Sequence, residues 1–267
     1  MDASPPPVAA ADPAIRADVL AGLAAPIPAI PARWLYDRRG SELFEAITDV
    51  PEYYLTRTER VLLERHSPDV AHLAGTGDAV VEFGSGSSAK TPILLRAVQP
   101  SAYVPIDISG EFLRDSAAAL AVEFPSLPIH PVEADFMRPI TLPEAVAGAP
   151  KLGFFPGSTI GNLVARTAVD LLRAMKDTLG VGAFLLIGMD RIKDEEQLLA
   201  AYDDAQGVTA AFNLNLLDRI NRELDGTIPV DRFRHRALWT KAETSSSSTG
   251  RMRGSISTIV TSAPMSE

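Results

Sequence analysis

The stretch "VVEFGSGSSAKT", residues 80 to 91, places a glycine turn directly between a predicted strand and a predicted helix. Glycine lets the backbone turn sharply there, and it lets a ligand approach the helix N-terminus, where free N–H groups face outward. The turn contains Gly84, Ser85 and Gly86 but lacks the third glycine of the dinucleotide fingerprint. Taken alone it is weak evidence of a binding site, because a tight strand-to-helix turn explains the two glycines about as well.

Short β-like runs alternate with helical stretches between residues 79 and 190. This alternation is typical of a parallel sheet covered by helices, so it predicts a Rossmann-like, doubly wound α/β fold. The runs are "AVVEFGSG" (79 to 86), "AYVPIDIS" (102 to 109), "LPIHPVEADF" (127 to 136), "KLGFFPGST" (151 to 159) and "AFLLIGMD" (183 to 190). The helices "KTPILLRAV", "EFLRDSAAALAVEF" and "RTAVDLLRAMKDTL" have apolar residues at three- and four-residue spacing.

The segments on either side of this alternation predict a second domain. Residues 61–190 form the expected cofactor-binding domain, and residues 1–60 together with 191–267 form a substrate-binding domain over the carboxyl edge of the sheet. The flanking segments predict a helix around 14–23 and two helices broken near Gly207. The last stretch, "TKAETSSSSTGRMRGSISTIVTSAPMSE", is rich in Ser, Thr and Gly with little periodicity, which predicts irregular structure.

Composition excludes several classes of protein. The chain has no cysteine, so disulfides and thiolate catalysis are excluded, and its four histidines are too scattered to predict a metal site. A formal charge of −9 argues against a nucleic-acid or anionic-membrane partner and favours a small molecule. The N-terminus lacks a secretory signal, and no apolar run approaches the ~20 residues of a membrane span, so we expect a cytoplasmic protein. We expect it to be a monomer.

Three consecutive strand ends carry groups suited to one nucleoside. Asp107 ends the second predicted strand, in the register in which a carboxylate accepts hydrogen bonds from two ribose hydroxyls. Asp135 ends the third strand beside Phe136, so a carboxylate and an aromatic ring lie where a purine would lie. Ligands of such folds bind outside the carboxyl ends of the strands, which makes the joint pattern more specific than any one member.

The residues around the glycine turn favour S-adenosylmethionine over NAD. Glu82 precedes the turn, and Ser87, Ser88 and Lys90 follow it, where a pyrophosphate would be better served by a third glycine. S-adenosylmethionine has an amino-acid tail in place of the pyrophosphate. Lys90 is open to a second interpretation, since a lone lysine on a helix is usually solvated.

Five longer motifs resemble one family. They are "VEFGSGSSAKT", "FFPGSTIGN", "YDxxGSxLFExI" (36 to 47), "PEYYLTRTE" and "AYDDAQGVTAAFNLNLLDRINREL". Together they resemble the histidine-specific, S-adenosylmethionine-dependent methyltransferases, which trimethylate the α-amino group of L-histidine to hercynine on the way to ergothioneine. The resemblance covers residues 14 to about 240.

The resemblance implies roles for particular residues. It implies that Tyr53 and Asn162 hold the amino group of the substrate and are the catalytic pair, and that Tyr202 meets the substrate carboxylate. Phe44 and Gly157 would line the same pocket, with Tyr36 as a neighbour. The implied cofactor residues are Gly84, Ser85, Gly86, Lys90, Asp107, Asp135 and Phe136.

The resemblance also suggests a role for the stretch "FFPGSTIGNL", residues 154 to 163. Gly157 and Gly161 keep the backbone slim where it passes the methyl donor and the amine, while Asn162 offers a carbonyl oxygen to an N–H. An alternative is a strand-to-helix turn capped by Ser158, Thr159 and Asn162. Methyl transfer starts from a reactive donor, so positioning can supply roughly 7 to 11 kcal/mol of barrier lowering without an acid or nucleophile.

The sequence departs from the family after "FRHRALW". Family members continue with strands that complete the substrate domain and supply a glutamate and a serine to the imidazole ring, and neither contact can be assigned here. The tail has the character of a truncation or a change of reading frame. An exposed sheet edge would follow, which predicts low stability or self-association, and selectivity for histidine would lose its buried partners.

Two other functions stay open from the sequence. Another amino acid, such as a tryptophan derivative, is an alternative methyl acceptor, and a non-catalytic cofactor-binding protein is an alternative of a different class. A NAD-dependent oxidoreductase ranks last, because no Tyr-x-x-x-Lys motif follows the sheet.

Overall fold

A computed structural model describes residues 12–191, 193–241 and 254–262. Its centre is a five-stranded parallel sheet with the strand order β3-β2-β1-β4-β5. The strands are β1 (Ala79–Phe83), β2 (Tyr103–Asp107), β3 (Val132–Glu133), β4 (Lys151–Phe155) and β5 (Phe184–Ile187). The order reverses at β1, as in doubly wound folds, so the predicted Rossmann-like architecture is confirmed.

Helices connect the strands and pack on both faces of the sheet. They are α1 (Pro13–Leu23), α2 (Arg38–Asp49), α3 (Tyr54–Ala74), α4 (Thr91–Val98), α5 (Gly110–Glu123), α6 (Ala165–Leu179), α7 (Glu195–Tyr202) and α8 (Val208–Leu224). The predicted break between the last two helices is confirmed: Gly207 precedes α8 with a φ of 72°, a left-handed conformation that glycine adopts without strain.

The central strands β2, β1 and β4 are almost entirely buried. Successive side chains of each strand point to opposite faces of the sheet, so both faces carry a core. Val81 and Phe83 of β1 pack with Leu171 and Met175 of α6, whereas Val80 packs on the other face with Leu94 of α4. Each such side chain contributes roughly 1.5 to 3 kcal/mol by leaving water. Because both faces of the sheet are apolar, polar groups are found at its carboxyl edge.

The segments outside the alternation form two further apolar clusters. One joins Leu43 and Ile47 of α2 to Tyr53 and Phe212. The second joins α1 to α8 and the 3-10 turn Ala32–Leu35. The division into two domains at residues 60 and 191 stays a prediction.

The prediction of irregular structure near the C-terminus is wrong for residues 254–262. Strand β7 (Gly254–Ser262) pairs antiparallel with β6 (Phe233–Lys241), from Phe233 opposite Ser262 to Lys241 opposite Gly254. The run "SISTIVTS" contains Ile, Val and Thr, whose β-branched side chains fit a pleated strand. Its Ser and Thr content without a clear period favoured irregular structure, and residues 242–253 and 263–267 of the predicted irregular stretch lie outside the described residues.

In the described parts of the chain, β5 is an edge of the parallel sheet, and Phe184 on it is 48% exposed. The expected low stability or self-association stays a prediction. Among the described helices, none has the length and apolar character needed to cross a membrane.

Candidate functional site

The glycine turn after β1 is held to the end of β2 by a carboxylate. Gly84 and Gly86 have φ values of 72° and 51°. The Gly86 N–H donates to Asp107 Oδ2 at 3.0 Å, and the Ser109 N–H donates to Asp107 Oδ1 at 3.0 Å. Burial raises the pKa of Asp107, and these backbone N–H groups act in the opposite direction. Asp107 therefore stands at a fixed place between the two strand ends.

A buried polar cluster lies beneath the turn. The hydroxyls of Tyr103 and Thr91 donate to Glu82 Oε2 at 2.6 and 2.7 Å, and Ser88 Oγ lies 3.2 Å from the Tyr103 hydroxyl. Glu82 is only 2% exposed, and burial raises its pKa to about 7 against the two donated hydrogen bonds. Because Thr91 begins α4 and Tyr103 begins β2, this carboxyl ties the turn to both elements.

Asp135 and Phe136 reach the same edge from the end of β3. The Phe136 ring packs edge-on against Phe155 with centroids 5.6 Å apart, and a Cβ built on Gly84 would lie 3.2 Å from its Cε1. Asp135 Oδ1 accepts the Met137 N–H at 3.0 Å. The predicted nucleoside groups of the three strands are therefore brought together.

Arg33 is a neighbour of Asp135 that sequence reasoning missed. Its Nη1 donates to Asp135 Oδ2 at 3.3 Å, while its Nη2 pairs with Asp18 of α1. The guanidinium also lies 5.0 Å from the centroid of the Trp34 ring. Arg33 and Asp135 are 102 residues apart in the sequence, so no local pattern indicates this contact.

These groups fit a nucleoside carrying an amino-acid tail. A carboxylate stands at the end of β2, an aromatic ring lies beside the glycine turn, and Gly84 and Gly86 of the turn add no side chains to it. Within the described residues, the buried Ser85 Oγ has no hydrogen-bond partner, so it is free to meet a polar group of a ligand.

Substituting Gly84 should separate backbone strain from loss of the site. We expect Gly84→Ala to cost about 1 to 2 kcal/mol of stability, because an L-residue is strained at this φ, and to weaken S-adenosylhomocysteine binding because its Cβ presses on Phe136. Gly77→Ala is the matched control, since Gly77 has a φ of 87° and nothing within 4 Å of an added Cβ. Urea unfolding and calorimetric titration would test this; equal affinities in the two variants would contradict it.

Four of the predicted substrate residues meet in one aromatic cluster, which we define as Tyr36, Phe44, Tyr53, Tyr202 and Phe212. Tyr36 packs on Phe44 and Phe212 at 5.6 and 5.4 Å, and Tyr53 packs on Phe44 and Tyr202 at 6.4 and 6.2 Å. Phe212 was not predicted; it lies in the motif after Tyr202 at a position whose apolar spacing indicated only a helix face.

The hydroxyls of the aromatic cluster stay protonated. Burial raises the pKa values of Tyr36, Tyr53 and Tyr202. The next cause for Tyr36 is the charge of Asp107, which shows that the aromatic cluster and the end of β2 are electrostatic neighbours. A protonated phenol can both donate and accept a hydrogen bond, whereas a phenolate can only accept.

The loop after β4 continues this edge. Gly157 has a φ of 83° and Ser158 a φ of 57°, and a 3-10 turn follows from Thr159 to Asn162. The alternative interpretation required Ser158 to cap this turn, but its side chain makes no capping hydrogen bond. Instead, Ser158 Oγ accepts the Asp190 N–H at 2.8 Å. Asn162 ends the turn with its side chain exposed.

Lys90 is paired, so the interpretation as a solvated lysine is wrong. Its ammonium forms an ion pair with Glu59 of α3, and their side chains are 18% and 15% exposed. Glu59 also accepts the Gly157 N–H, at 2.8 and 3.0 Å from its two oxygens. Sequence reasoning missed Glu59, although it ends the quoted motif "PEYYLTRTE".

His235 of β6 is a further residue that sequence reasoning missed, after Arg33, Phe212 and Glu59. Its side chain is 1% exposed, and its Nε2 lies 2.9 Å from the carbonyl oxygen of Tyr202. Strand β6 thereby contacts the backbone of an aromatic-cluster residue. The sequence analysis used "FRHRALW" only to mark where the resemblance ends, and a lone histidine there carries no sign of this contact.

Comparison with known proteins identifies relatives over most of the chain. A family described as "Histidine-specific methyltransferase, SAM-dependent" matches residues 15–263. The Histidine N-alpha-methyltransferase of Mycolicibacterium smegmatis is 42% identical over 238 residues, which cover 86% of this chain and 72% of that protein. The protein of the same name from Mycobacterium tuberculosis is 42% identical over 234 residues, with the same shares. Ergothioneine biosynthesis protein 1 of Neurospora crassa is 32% identical over 209 residues, covering 76% of this chain and 24% of that protein.

Proposed function

The chain belongs to the family of histidine-specific, S-adenosylmethionine-dependent methyltransferases, and on that basis we propose that it trimethylates the α-amino group of L-histidine to hercynine in ergothioneine biosynthesis. The observation that carries this proposal is the 42% identity, over most of the chain, to two proteins named for that reaction. The ergothioneine biosynthesis protein of Neurospora crassa supports the pathway.

We assign the cofactor to the carboxyl ends of β1 to β3. Asp107 would accept the ribose hydroxyls, and Asp135 with Phe136 would hold the adenine. The glycine turn of Gly84, Ser85 and Gly86, together with Lys90, would receive the amino-acid end. When bound, S-adenosylmethionine supplies an electrophilic methyl group on its sulfonium; the chain's own residues bind, orient and exclude water.

We assign the amino acid to the aromatic cluster and the loop after β4. The attacking amine must be unprotonated, so its remaining hydrogens need acceptors. Tyr53 and Asn162 would provide two oxygens, and the protonated state of the buried Tyr53 phenol leaves its oxygen available without adding a charge. Tyr202 would meet the carboxylate, while Phe44, Gly157 and Tyr36 complete the lining. These residues would orient the amino acid, and orientation suffices for an in-line displacement from a reactive donor.

The decisive experiment is a calorimetric titration of the full chain with S-adenosylhomocysteine, followed by L-histidine added to the loaded protein. We expect both to bind. Incubation with S-adenosylmethionine and histidine should then give the mono-, di- and trimethylated products by mass spectrometry. Turnover of tryptophan but not histidine would replace the proposed substrate, and binding of S-adenosylhomocysteine without turnover of any free amino acid would support a non-catalytic protein.

We further propose a cytoplasmic monomer in which residues 61–190 bind the cofactor and the flanking segments 1–60 and 191–267 form the substrate side. The lack of cysteine supports a reducing compartment. Light scattering during size-exclusion chromatography tests the monomer; a dimer at micromolar concentration would contradict it and would favour the self-association expected from an exposed sheet edge.

A further inference from the structure

We propose that Glu59 is a positioning residue that couples the cofactor side of the site to the amino-acid side. It is the carboxylate on which Lys90, from the segment after the glycine turn, and Gly157, from the loop after β4, converge. This inference rests on the proposed sites, in which Lys90 receives the cofactor tail and the Gly157 loop leads to Asn162.

The contacts of Glu59 span three separate parts of the fold. Its helix, α3, begins directly after Tyr53, so Glu59 moves as one body with that residue. Both of its oxygens accept the Gly157 N–H, 98 residues away in sequence, and Oε2 also receives the Lys90 ammonium. A shift of any of these three segments would break a charge-assisted hydrogen bond at this single carboxylate.

The fold leaves a space for this carboxylate. Gly188 follows β5, and a Cβ built on it would lie 1.9 Å from Glu59 Oε1 and 3.3 Å from the Gly157 nitrogen. Any larger residue at position 188 would therefore displace the carboxylate. The carboxylate sits in a notch between the ends of β4 and β5, which are neighbours in the sheet.

The charge of Glu59 also reaches the groups around the site. It contributes to raising the pKa of Tyr53, after burial and the hydroxyls of Tyr202 and Tyr36. It also adds a small contribution to raising the pKa of Glu82, whereas Lys90 lowers it. Pairing with Lys90 balances one negative charge with one positive charge, so this mostly buried position holds no uncompensated charge.

The test compares Glu59→Gln with Glu64→Gln in the full chain. Glu64 lies on the same helix, but its side chain is 53% exposed and its ion pair is with Arg60, one turn earlier on α3, so it controls for loss of an acidic side chain. We expect Glu59→Gln to bind S-adenosylhomocysteine about tenfold more weakly, and the Gly157 amide to exchange its hydrogen faster, because a neutral amide oxygen is a poorer acceptor and Lys90 loses its anchor. The Glu64 variant should match the wild type in both.

A second variant perturbs the Glu59 carboxylate through its neighbour Gly188. Gly188→Ala keeps Glu59 but fills its notch, so we expect the same weakened S-adenosylhomocysteine binding and the same faster exchange at Gly157. The affinity for histidine in the loaded protein should fall about tenfold in both variants, as the loop before Asn162 loosens.

Two results would overturn the proposal. One is wild-type affinity for S-adenosylhomocysteine and wild-type protection of the Gly157 amide in Glu59→Gln. The other is a lower melting temperature with unchanged ligand affinities, which would make Glu59 a structural residue only. If the wild-type chain fails to bind histidine, the proposed substrate fails, whereas the affinity for S-adenosylhomocysteine and the exchange at Gly157 still decide the role of Glu59.

Discussion

Replacing Glu82 by glutamine is expected to remove a loss of stability that the wild-type protein undergoes as the pH rises. Burial raises the pKa of Glu82 from its usual 4.5 to about 7, so the folded chain holds this proton more tightly than the unfolded chain. The stabilisation is fully present below about pH 4.5 and is lost as the pH rises through about 7. Between about pH 5 and about pH 8, the loss should amount to about 2 to 3 kcal/mol.

Glutamine is a suitable replacement because Tyr103 and Thr91 both donate to the same oxygen of Glu82, which the amide oxygen can replace. Urea unfolding at the two pH values would give the difference in free energy of unfolding between the variant and the wild type. That difference should move in favour of the variant as the pH rises. Glu64→Gln, on an exposed carboxylate, should show no comparable change. A difference that stays constant with pH would mean that the pKa of Glu82 is not raised in the folded chain.

The strands of the sheet could be predicted because buried parallel strands are nearly continuous apolar runs. The third run was predicted too long. It covers residues 127 to 136, yet only Val132–Glu133 form a strand, with one isolated bridge at Ile129. Pro128 and Pro131 lack the N–H that ladder hydrogen bonds require, so pairing is interrupted on both sides of the bridge.

Strand β7 was missed for the opposite reason. Its Ser and Thr residues are typical of irregular segments, and its β-branched Ile, Val and Thr residues become informative only once β6 is present as a partner. A two-stranded pairing depends on the partner strand as much as on local propensity.

The candidate site likewise contains residues that a local sequence pattern predicts and residues that it does not. Gly84, Asp107 and Phe136 could be predicted because they follow strands, and parallel strands bring their carboxyl ends to one edge. Glu59 and Arg33 could not, because their partners lie 98 and 102 residues away and each stands on a segment whose local pattern indicates only a helix or a turn. Contacts of this kind depend on how the flanking segments pack on the sheet.

Replacing Tyr53 by phenylalanine is expected to raise the KM for histidine by about 10- to 100-fold while leaving the affinity for S-adenosylhomocysteine nearly unchanged. Tyr53 is 7% exposed and directly precedes α3, with its ring packed on Phe44 and Tyr202. Phenylalanine keeps those ring contacts and removes only the hydroxyl. The amine of the substrate would then lose the acceptor that the mostly buried Tyr53 provides, and a hydrogen bond to a charged or strongly polar group accounts for a loss of this size.

Tyr54→Phe is the matched control, because it removes the hydroxyl of the adjacent tyrosine, which donates to Asp190. Steady-state kinetics and calorimetry on both variants would separate the two roles. A large rise in KM for Tyr53→Phe alone places the hydroxyl at the substrate amine. Equal losses of cofactor and amino-acid affinity in Tyr53→Phe would contradict that role, because they would mean that the hydroxyl supports the carboxyl edge as a whole. Asn162→Ala should behave as Tyr53→Phe does, since an amine with two remaining hydrogens needs two acceptors to present its lone pair to the methyl group.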